Sequence, residues 1–387
     1  MLEKKLSIGY TAPMVTIAFT GGGTGGHIYP GLAAAAELKL LLAGQEVRLL
    51  WIGSGTGMDR SIVEEAGIEF FGAPSGKLRR YFTLKTIPDF FKVIAGFFAA
   101  RKILKKQRPI LLFSKGGFVS VPPCAAASSL GIPVFTHESD YSPGLATRIN
   151  ARFVSRTGGT IFAAYEQTVR FFPAKVQDRV TVSGNPVRSG FRSADAAKGR
   201  AFLGLDAEAR ILLVLGGSQG SQEINELVRE ALPGLIESYT VVHQTGPYLT
   251  WNLPDMERYK PYPFIKEEMP HVMAAAELIM GRSGAGTVWE CAVLGKPMLL
   301  VPLRGSGTRG DQVENARYFL EAGAAQVFAG EGESPQALAL AVKALAQNDE
   351  KRAAMAAASL KIGEHNGAEL IARALTEDIK SRNGEKK

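Results

Sequence analysis

The stretch TGGGTGGHIYPG, residues 20–31, follows directly on the apolar run 14–19 and contains six glycines. Gly21, Gly23 and Gly26 fit the pattern G-x-G-x-x-G between a predicted strand and a predicted helix. Glycines at such a place let the backbone turn tightly, and the free N–H groups at the helix start attract a phosphate. The pattern predicts an α/β unit that binds an anion after its first strand.

The same strand, glycine turn and helix recur at 213–221 and at 281–287. Short apolar runs alternate with helical patterns through both halves of the chain, which is typical of parallel α/β folds. We therefore predict two Rossmann-like domains, at 14–184 and 185–365, with a last helix, 366–380, that could pack back on the first. For each turn a simpler interpretation stays open, in which the glycines only allow close packing of strand and helix.

A nicotinamide-dependent dehydrogenase is the main competitor for the first glycine turn. Dehydrogenases carry an Asp or Glu at the end of the second strand, about 20 residues beyond the glycines, to bind the ribose. Here that strand, VRLLWIG at 47–53, ends in Trp51, Ile52 and Gly53. The absence of an acid there disfavours a dehydrogenase.

The composition points to a globular protein of a reducing compartment. Apolar residues make up 46% and charged residues 21% of the 387, and the two cysteines, Cys124 and Cys291, lie far apart. The nearly apolar stretch 90–100 is too short to span a membrane and contains Lys92. The sequence lacks the D-x-D and H-E-x-x-H patterns and any Cys/His cluster, so we expect neither a metal nor another cofactor.

The net charge of +8 is concentrated in one segment. Between Ser75 and Arg108, ten Lys or Arg residues stand against the single acid Asp89 and alternate with aromatic residues. Such a pattern on an amphipathic helix favours contact with an anionic membrane surface, and the candidate contact residues are Lys77, Arg79, Arg80, Phe82, Phe91 and Phe98. Alternatively, Phe90, Ile94 and Phe97 face the sheet as core. No nucleic-acid motif is present, and we expect no nucleic-acid partner.

Five ordered motifs, GGTGGHIYPG, GNPVR, LGGSQGS, RSGAGTVWE and GDQVENA, resemble the MurG family over residues 14–379. These are the N-acetylglucosaminyltransferases of peptidoglycan synthesis. The resemblance implies the GT-B fold, in which two Rossmann-like domains face a central cleft, and inverting transfer of GlcNAc from UDP-GlcNAc. The acceptor would be the muramoyl 4-hydroxyl of undecaprenyl-diphosphate-linked MurNAc-pentapeptide (lipid I), and the product would be lipid II. The protein would be located peripherally, on the cytoplasmic face of the plasma (inner) membrane.

The resemblance also implies a set of UDP-GlcNAc-binding residues: Thr24, Gly25, Gly26, Arg188, Ser218, Ile265, Ala285, Gly286, Thr287, Val288, Trp289, Glu290 and Gln312. The hydroxyl of Ser218 could bind a β-phosphate or only cap a helix. Glu290 could accept from both ribose hydroxyls or be an ordinary surface acid. Gln312 could bind sugar hydroxyls or lie in a solvated turn, and Arg188 could close on the nucleotide or only tie the domains together.

Inverting transfer needs a base for the acceptor hydroxyl. His27, next to the glycine turn, is the first candidate for the base or for positioning the acceptor diphosphate; it could instead bond only to backbone at the helix start. His137 and Glu138, at the end of another strand, are the second candidates. Two features depart from the family pattern. Asp140 stands where many family members have asparagine, which leaves its contact with donor or acceptor undefined. The segment 303–312 is about two residues longer than the shorter family form.

Three other functions stay open at this stage. Within the fold, the acceptor could be a small soluble molecule or a diacylglycerol, although the basic and aromatic segment 75–108 argues against a purely soluble acceptor. From a different class, the chain could bind a nucleotide sugar without catalysis if Asp140 disables the pocket.

Overall fold

The computed structural model describes residues 14–23, 25–55, 59–76, 86–217, 220–247, 256–305, 310–329 and 334–384, without the side chains of residues 86, 87, 383 and 384. The chain forms two compact units. The first contains Met1–His137, Leu145–Ile161 and Ile371–Lys387, and the second contains Glu138–Gly144 and Phe162–Leu370. These units are defined by packing and divide the chain at other points than the ranges 14–184 and 185–365, which stay a prediction.

Among the described residues, the first sheet has seven strands in the order β3-β2-β1-β4-β5-β6-β7. The pairs from β3 to β5 are parallel. The strands are β1 (Val15–Thr20), β2 (Val47–Gly53), β3 (Glu69–Gly72), β4 (Leu112–Ser114), β5 (Val134–Glu138), β6 (Ile161–Ala163) and β7 (Val180–Val182).

The second sheet has six described strands, all parallel, in the order β10-β9-β8-β11-β12-β13. They are β8 (Ile211–Leu215), β9 (Thr240–Gln244), β10 (Tyr259–Tyr262), β11 (Leu278–Gly281), β12 (Met298–Leu300) and β13 (Ala325–Val327). In both sheets the chain first adds strands on one side of the starting strand and then crosses to its other side. Ligands of open parallel sheets bind at the carboxyl ends of the two strands where this change occurs.

Helices connect the strands, and short 3₁₀ helices lie at Gly25–His27, Phe118–Ser120 and Glu166–Phe171. The α-helices are α1 (Tyr29–Leu41), α2 (Asp59–Glu65), α3 (Thr86–Gln107), α4 (Val121–Ser129), α5 (Leu145–Thr157), α6 (Ala174–Gln177), α7 (Ser189–Arg192), α8 (Ala196–Leu203), α9 (Gln222–Leu235), α10 (Met269–Ala275), α11 (Ala285–Val293), α12 (Asp311–Glu321), α13 (Pro335–Ala346), α14 (Asp349–Gly363) and α15 (Gly367–Gly384).

The central strands are buried on both faces because helices cover each side of a parallel sheet. In β8, Leu213 and Leu215 belong to one apolar cluster, and Leu212 and Val214 belong to another. Successive side chains of a strand point to opposite faces, so this short apolar run supplies two cores. The predicted α/β class with two Rossmann-like halves is confirmed.

Helix α1 packs closely on the first sheet at Gly31. A side-chain carbon at this position would lie 2.6 Å from Cη2 of Trp51, nearer than any real contact allows. The indole of Trp51 is fully buried and donates a hydrogen bond of 3.0 Å to the carbonyl of Gly21. The absence of a side chain at Gly31 therefore lets α1 pack against Trp51 immediately after the glycine turn.

Candidate functional site

In the first unit the glycine turn after β1 meets the turn after β4, where the order of strand addition changes. His27 ends the 3₁₀ helix Gly25–His27, and a side-chain carbon on Gly117 would lie 2.9 Å from its Cδ2. The imidazole thus packs over the second of these turns and is half-buried. Gly25 and Gly26 begin the same 3₁₀ helix, whereas Thr24 lies outside the described residues.

A buried carboxylate supports the first glycine turn from below. Asp59 is 2% exposed, and both of its oxygens accept from the N–H of Gly23 at 3.2 Å. The hydroxyl of Ser54 donates to the same carboxylate at 2.9 Å. The sequence has no acid at the end of β2, and the role of Asp59, which follows six residues later and bonds to the turn itself, was not predicted.

His137 and Glu138 end β5 and belong to different packing units. The side chain of His137 has no exposed surface. The carboxylate of Glu138 accepts from the N–H groups of Asp140 and Gly144, each at 3.0 Å. That arrangement shapes the loop 138–144, and it favours His27, which keeps some exposed surface, over these two residues as the base.

Asn315, in α12, joins the loop 138–144 to the rest of the second unit. Its Oδ1 accepts from the N–H of Tyr141 at 3.1 Å, and its Nδ2 donates to the carbonyl of Ser283 at 3.1 Å and to Oδ1 of Asp140 at 3.3 Å. The side chain is fully buried. Asp140 therefore accepts a hydrogen bond from the amide of Asn315, a role that a carboxylate oxygen can fill.

The second and third glycine turns follow the neighbouring strands β8 and β11, again where the order of strand addition changes. Arg282 connects them, because its guanidinium donates to the hydroxyl of Ser221 at 2.9 Å, to the carbonyl of Val301 at 3.1 Å and to Glu223. Ser218 lies outside the described residues. Since Arg282 is only 8% exposed, it acts here as a support that fixes the two turns together.

The predicted segment 285–290 forms the first turns of α11 and has two faces. The side chains of Val288 and Trp289 are buried in the core, at 0% and 4% exposure, so any ligand contact from these two positions must come from the backbone. Ala285 is also buried, whereas Gly286, Thr287 and Glu290 are only partly buried. The spacing of these last three residues places them on one side of the helix.

Glu290 is paired with Arg188 across 3.8 Å. Loss of solvent raises the pKa of the Glu290 carboxyl to about 7, and the Arg188 guanidinium opposes the rise. A carboxylate beside a guanidinium is suited to accept hydrogen bonds from neighbouring hydroxyls, as the sequence predicts for a ribose. The two residues come from distant motifs, GNPVR and RSGAGTVWE, and the structure brings them together.

Gln312 and Ile265 lie next to the glycine turns through polar contacts of their own. Oε1 of Gln312 accepts from the N–H of Leu303 at 2.9 Å, and its carbonyl accepts from the hydroxyl of Ser283 at 2.7 Å. The N–H of Ile265 donates to Oε1 of Gln244 at 2.9 Å. Three supporting residues were not predicted: Gln244, the last residue of β9, Arg282, the first residue after β11, and Asn315, in the second turn of α12.

Helix α3 exposes several of its apolar side chains. Phe91 and Phe98 are 64% and 63% exposed, and Phe90 and Ile94 are 58% and 39% exposed. Of the three residues that the alternative interpretation puts in the core, Phe90 and Ile94 are therefore not core residues, whereas Phe97 is partly buried. Ala100 and Leu104 are buried instead. The other candidate contact residues, Lys77, Arg79, Arg80 and Phe82, lie outside the described residues.

Neither a membrane span nor a metal site is present among the residues that the structure describes. There, no helix is both long and apolar enough to cross a membrane. Within the same residues, no group of three or more His, Cys, Asp or Glu side chains is arranged to hold a metal ion. That the reaction needs no cofactor stays a prediction.

Comparison with known proteins identifies the family. Residues 17–158 match the glycosyltransferase family 28 N-terminal domain, and residues 211–373 match the glycosyltransferase family 28 C-terminal domain. A Treponema denticola protein named UDP-N-acetylglucosamine--N-acetylmuramyl-(pentapeptide) pyrophosphoryl-undecaprenol N-acetylglucosamine transferase is 44% identical over 96% of this chain and 99% of its own length. The chain belongs to glycosyltransferase family 28.

Other members of the family support the same assignment. Proteins with the same name from Treponema pallidum and Staphylococcus carnosus are 46% and 41% identical, over 94% and 81% of this chain and 96% and 84% of their own. The crystal structure of Acinetobacter baumannii MurG is 24% identical, covers 94% of this chain and 100% of its own, and superposes with a TM-score of 0.67. This structural likeness confirms the GT-B class of fold.

The raised pKa of Glu290 predicts a pH-dependent change in stability. Because the carboxyl keeps its proton up to about pH 7 in the folded chain but only to about 4.5 in the unfolded one, ionisation disfavours folding as the pH rises between these values. We expect the free energy of unfolding of Glu290→Gln, relative to wild type, to grow by about 1 kcal/mol from pH 4 to pH 8. This is less than the whole pKa shift would give, because the side chain is 24% exposed and solvent screens its charge.

Urea unfolding of both proteins at the two pH values measures this difference. Glu64→Gln, which removes a half-exposed carboxylate paired with Arg60, is the matched control. A relative stability of Glu290→Gln that stays constant or falls from pH 4 to pH 8 would contradict the prediction.

Proposed function

We propose that this chain is an inverting glycosyltransferase that moves GlcNAc from UDP-GlcNAc to the muramoyl 4-hydroxyl of lipid I and so makes lipid II. The observation that carries the proposal is the 44% and 46% identity to the two Treponema transferases over nearly the whole chain. The arrangement of polar residues at the carboxyl edge of the second sheet supports it, because a nucleotide sugar needs such groups at this edge.

The donor site is assigned to the second unit. Glu290 accepts from the ribose hydroxyls, with Arg188 beside it to meet negative charge on the diphosphate. Gln312 is fixed next to Leu303 and Ser283, where its amide NH₂ is available to a sugar hydroxyl. Ala285 contributes through its N–H at the start of α11, whereas the N–H of Val288 donates to the carbonyl of Gly284 and the side chains of Val288 and Trp289 fix the segment in the core.

The acceptor site is assigned to the first unit, with His27 as the base. His27 takes the proton of the muramoyl 4-hydroxyl as its oxygen attacks the anomeric carbon of GlcNAc. The bond from that carbon to the β-phosphate oxygen breaks on the opposite face, and UDP leaves with the electron pair. The charge that develops on UDP is met by Arg188 and by N–H groups of the glycine turns.

Helix α3 is assigned to the membrane surface. Its exposed Phe90, Phe91 and Phe98 share the helix with exposed lysines at 92, 102, 105 and 106. Aromatic rings that enter the interface and lysines that attract anionic lipid hold a protein peripherally. On this proposal the chain acts peripherally at the cytoplasmic face of the plasma (inner) membrane, where an undecaprenyl-linked acceptor is anchored.

A transfer assay with labelled UDP-GlcNAc and a lipid I analogue tests the reaction. We expect transfer from UDP-GlcNAc and much less from UDP-GalNAc or UDP-glucose. His27→Ala should lower kcat by about 10²- to 10⁴-fold, the usual contribution of a general base. His365→Ala, at an exposed histidine of the second unit, is the matched control and should retain activity.

Three outcomes would count against the proposal. Turnover of His27→Ala within a few fold of wild type would remove its role as base. Transfer to a diacylglycerol but not to the lipid I analogue would show that the acceptor is a diacylglycerol and not lipid I. Binding of UDP-GlcNAc without release of UDP would favour a nucleotide-sugar binding module.

Sedimentation with vesicles that contain phosphatidylglycerol tests the membrane surface. We expect binding that weakens with salt, and a loss of tenfold or more in the double variant Phe91→Ser with Phe98→Ser, because each ring buries apolar area worth about 1.5–3 kcal/mol. The double variant Leu340→Ser with Leu360→Ser removes two exposed leucines of the second unit, at 67% and 55% exposure, as a control. Equal losses in both double variants would refute the assignment to α3.

A further inference from the structure

A line of hydrogen bonds runs beneath the second glycine turn, from Tyr259 at the start of β10 to Thr245 after β9. The Tyr259 hydroxyl lies 3.0 Å from Nδ1 of His243, Nε2 of His243 lies 3.1 Å from Oδ1 of Asn225, and Nδ2 of Asn225 lies 2.9 Å from the carbonyl of Thr245. All four residues are buried, and His243 has no exposed surface. Neither the proposed donor site nor the proposed acceptor site assigns a role to these four residues.

Each hydrogen bond in the line fixes the direction of the next. Asn225 must donate through its NH₂ to the Thr245 carbonyl, so its oxygen has to accept, and Nε2 of His243 has to carry a hydrogen. Nδ1 of His243 is then an acceptor for the Tyr259 hydroxyl. Burial also lowers the pKa of His243 to about 4, so the ring stays neutral in this tautomer at neutral pH.

The line ends against the glycine turn itself. A side-chain carbon on Gly220 would lie 2.5 Å from the Thr245 carbonyl oxygen and 2.9 Å from Cα of Gly246, so the backbone of the turn rests directly on these two residues. The N–H of Asn225 donates to the carbonyl of Ser221 at 2.8 Å. Asn225 therefore bonds to the turn through its backbone N–H, and its side chain bonds to Thr245, the residue after β9 on which the turn rests.

We propose that His243 and Tyr259 are positioning residues for the donor diphosphate. They fix the amide of Asn225 and, through it, the shape of the glycine turn after β8. The inference rests on the proposed function, since it takes UDP as the ligand of this turn. Without the Tyr259 hydroxyl, Nδ1 of His243 loses this hydrogen bond, so the ring is held less firmly and its Nε2–H fixes the amide of Asn225 less firmly.

Tyr259→Phe removes a single oxygen atom and tests the inference with UDP as the probe. We expect UDP, measured by titration calorimetry, to bind about five- to tenfold more weakly, and KM for UDP-GlcNAc to rise in proportion. The acceptor KM, and kcat at saturating donor, should stay within about twofold of wild type. If Tyr259 has a role in folding alone, the variant should lower thermal stability without raising the donor KM relative to the acceptor KM.

The chain offers a matched control for this variant. The hydroxyl of Tyr239, also buried, donates to Oε1 of Glu277 at 3.1 Å, just before β9 begins and therefore at the opposite edge of the same sheet. Tyr239→Phe also removes one buried hydroxyl with one side-chain partner. We expect it to leave UDP binding unchanged; an equal loss in both variants, or no loss in Tyr259→Phe, would overturn the inference.

A double-mutant cycle shows whether Tyr259 acts through Asn225. If it does, Tyr259→Phe should weaken UDP binding no further in an Asn225→Ala background, whereas independent roles would give additive losses and contradict the line of hydrogen bonds. The ¹⁵N chemical shifts of the His243 ring provide a readout that needs no ligand. We expect a bare Nδ1 and a protonated Nε2 in wild type, and a changed Nδ1 shift in Tyr259→Phe, where the hydroxyl that donates to Nδ1 is gone.

The two readouts separate this inference from the proposed function. A wild-type chain that binds no UDP would count against the proposed function, and the ring shifts would still decide the line of hydrogen bonds. A wild-type ring with its proton on Nδ1 would overturn the inference even if UDP binds.

Discussion

Parallel strands end at the same edge of a sheet, and the candidate sites of this chain depend on that constraint. In each unit the glycine turns follow the two neighbouring strands where the order of strand addition changes, β1 and β4 in the first and β8 and β11 in the second. A turn at such a place leads into a helix whose first N–H groups have no partner within the helix. The fold thus offers two edges that are suited to an anion before any particular side chain is considered.

Buried polar side chains then hold these turns in shape. Asp59 lies under the first turn, Arg282 joins the second to the third, and Asn315 joins the third to the loop 138–144. A buried polar group is costly unless it is hydrogen-bonded, so each of these residues fixes its partners strongly. A turn fixed in advance loses less entropy when it binds a ligand.

The sequence predicted the fold and the family well because both depend on local patterns. Apolar runs of strand length, such as 211–215, and glycines at strand ends are visible without knowledge of the rest of the chain. The supports were missed because their partners are remote: Asn315 bonds to Tyr141, and His243 to Asn225 and Tyr259. No single motif contains both ends of such a contact.

Exposure was also hard to predict from periodicity. In α3, the phenylalanines at 90, 91 and 98 have helical spacing, yet they are more than half exposed, while the smaller Ala100 and Leu104 are buried. Spacing shows which residues share a face of a helix but not which face meets the sheet. In α11, conversely, Val288 and Trp289 belong to a predicted binding segment but pack in the core.

Hydrogen exchange with and without UDP tests most directly whether the carboxyl edge of the second sheet is the donor site. The account predicts slower exchange on addition of UDP at the amides of Thr245, Gly246, Ile265 and residues 283–287. It predicts no change at the amides of Glu277 and Lys296, which precede strands of the same sheet. Protection confined to the first unit, or to those amides at the amino edge, would contradict it.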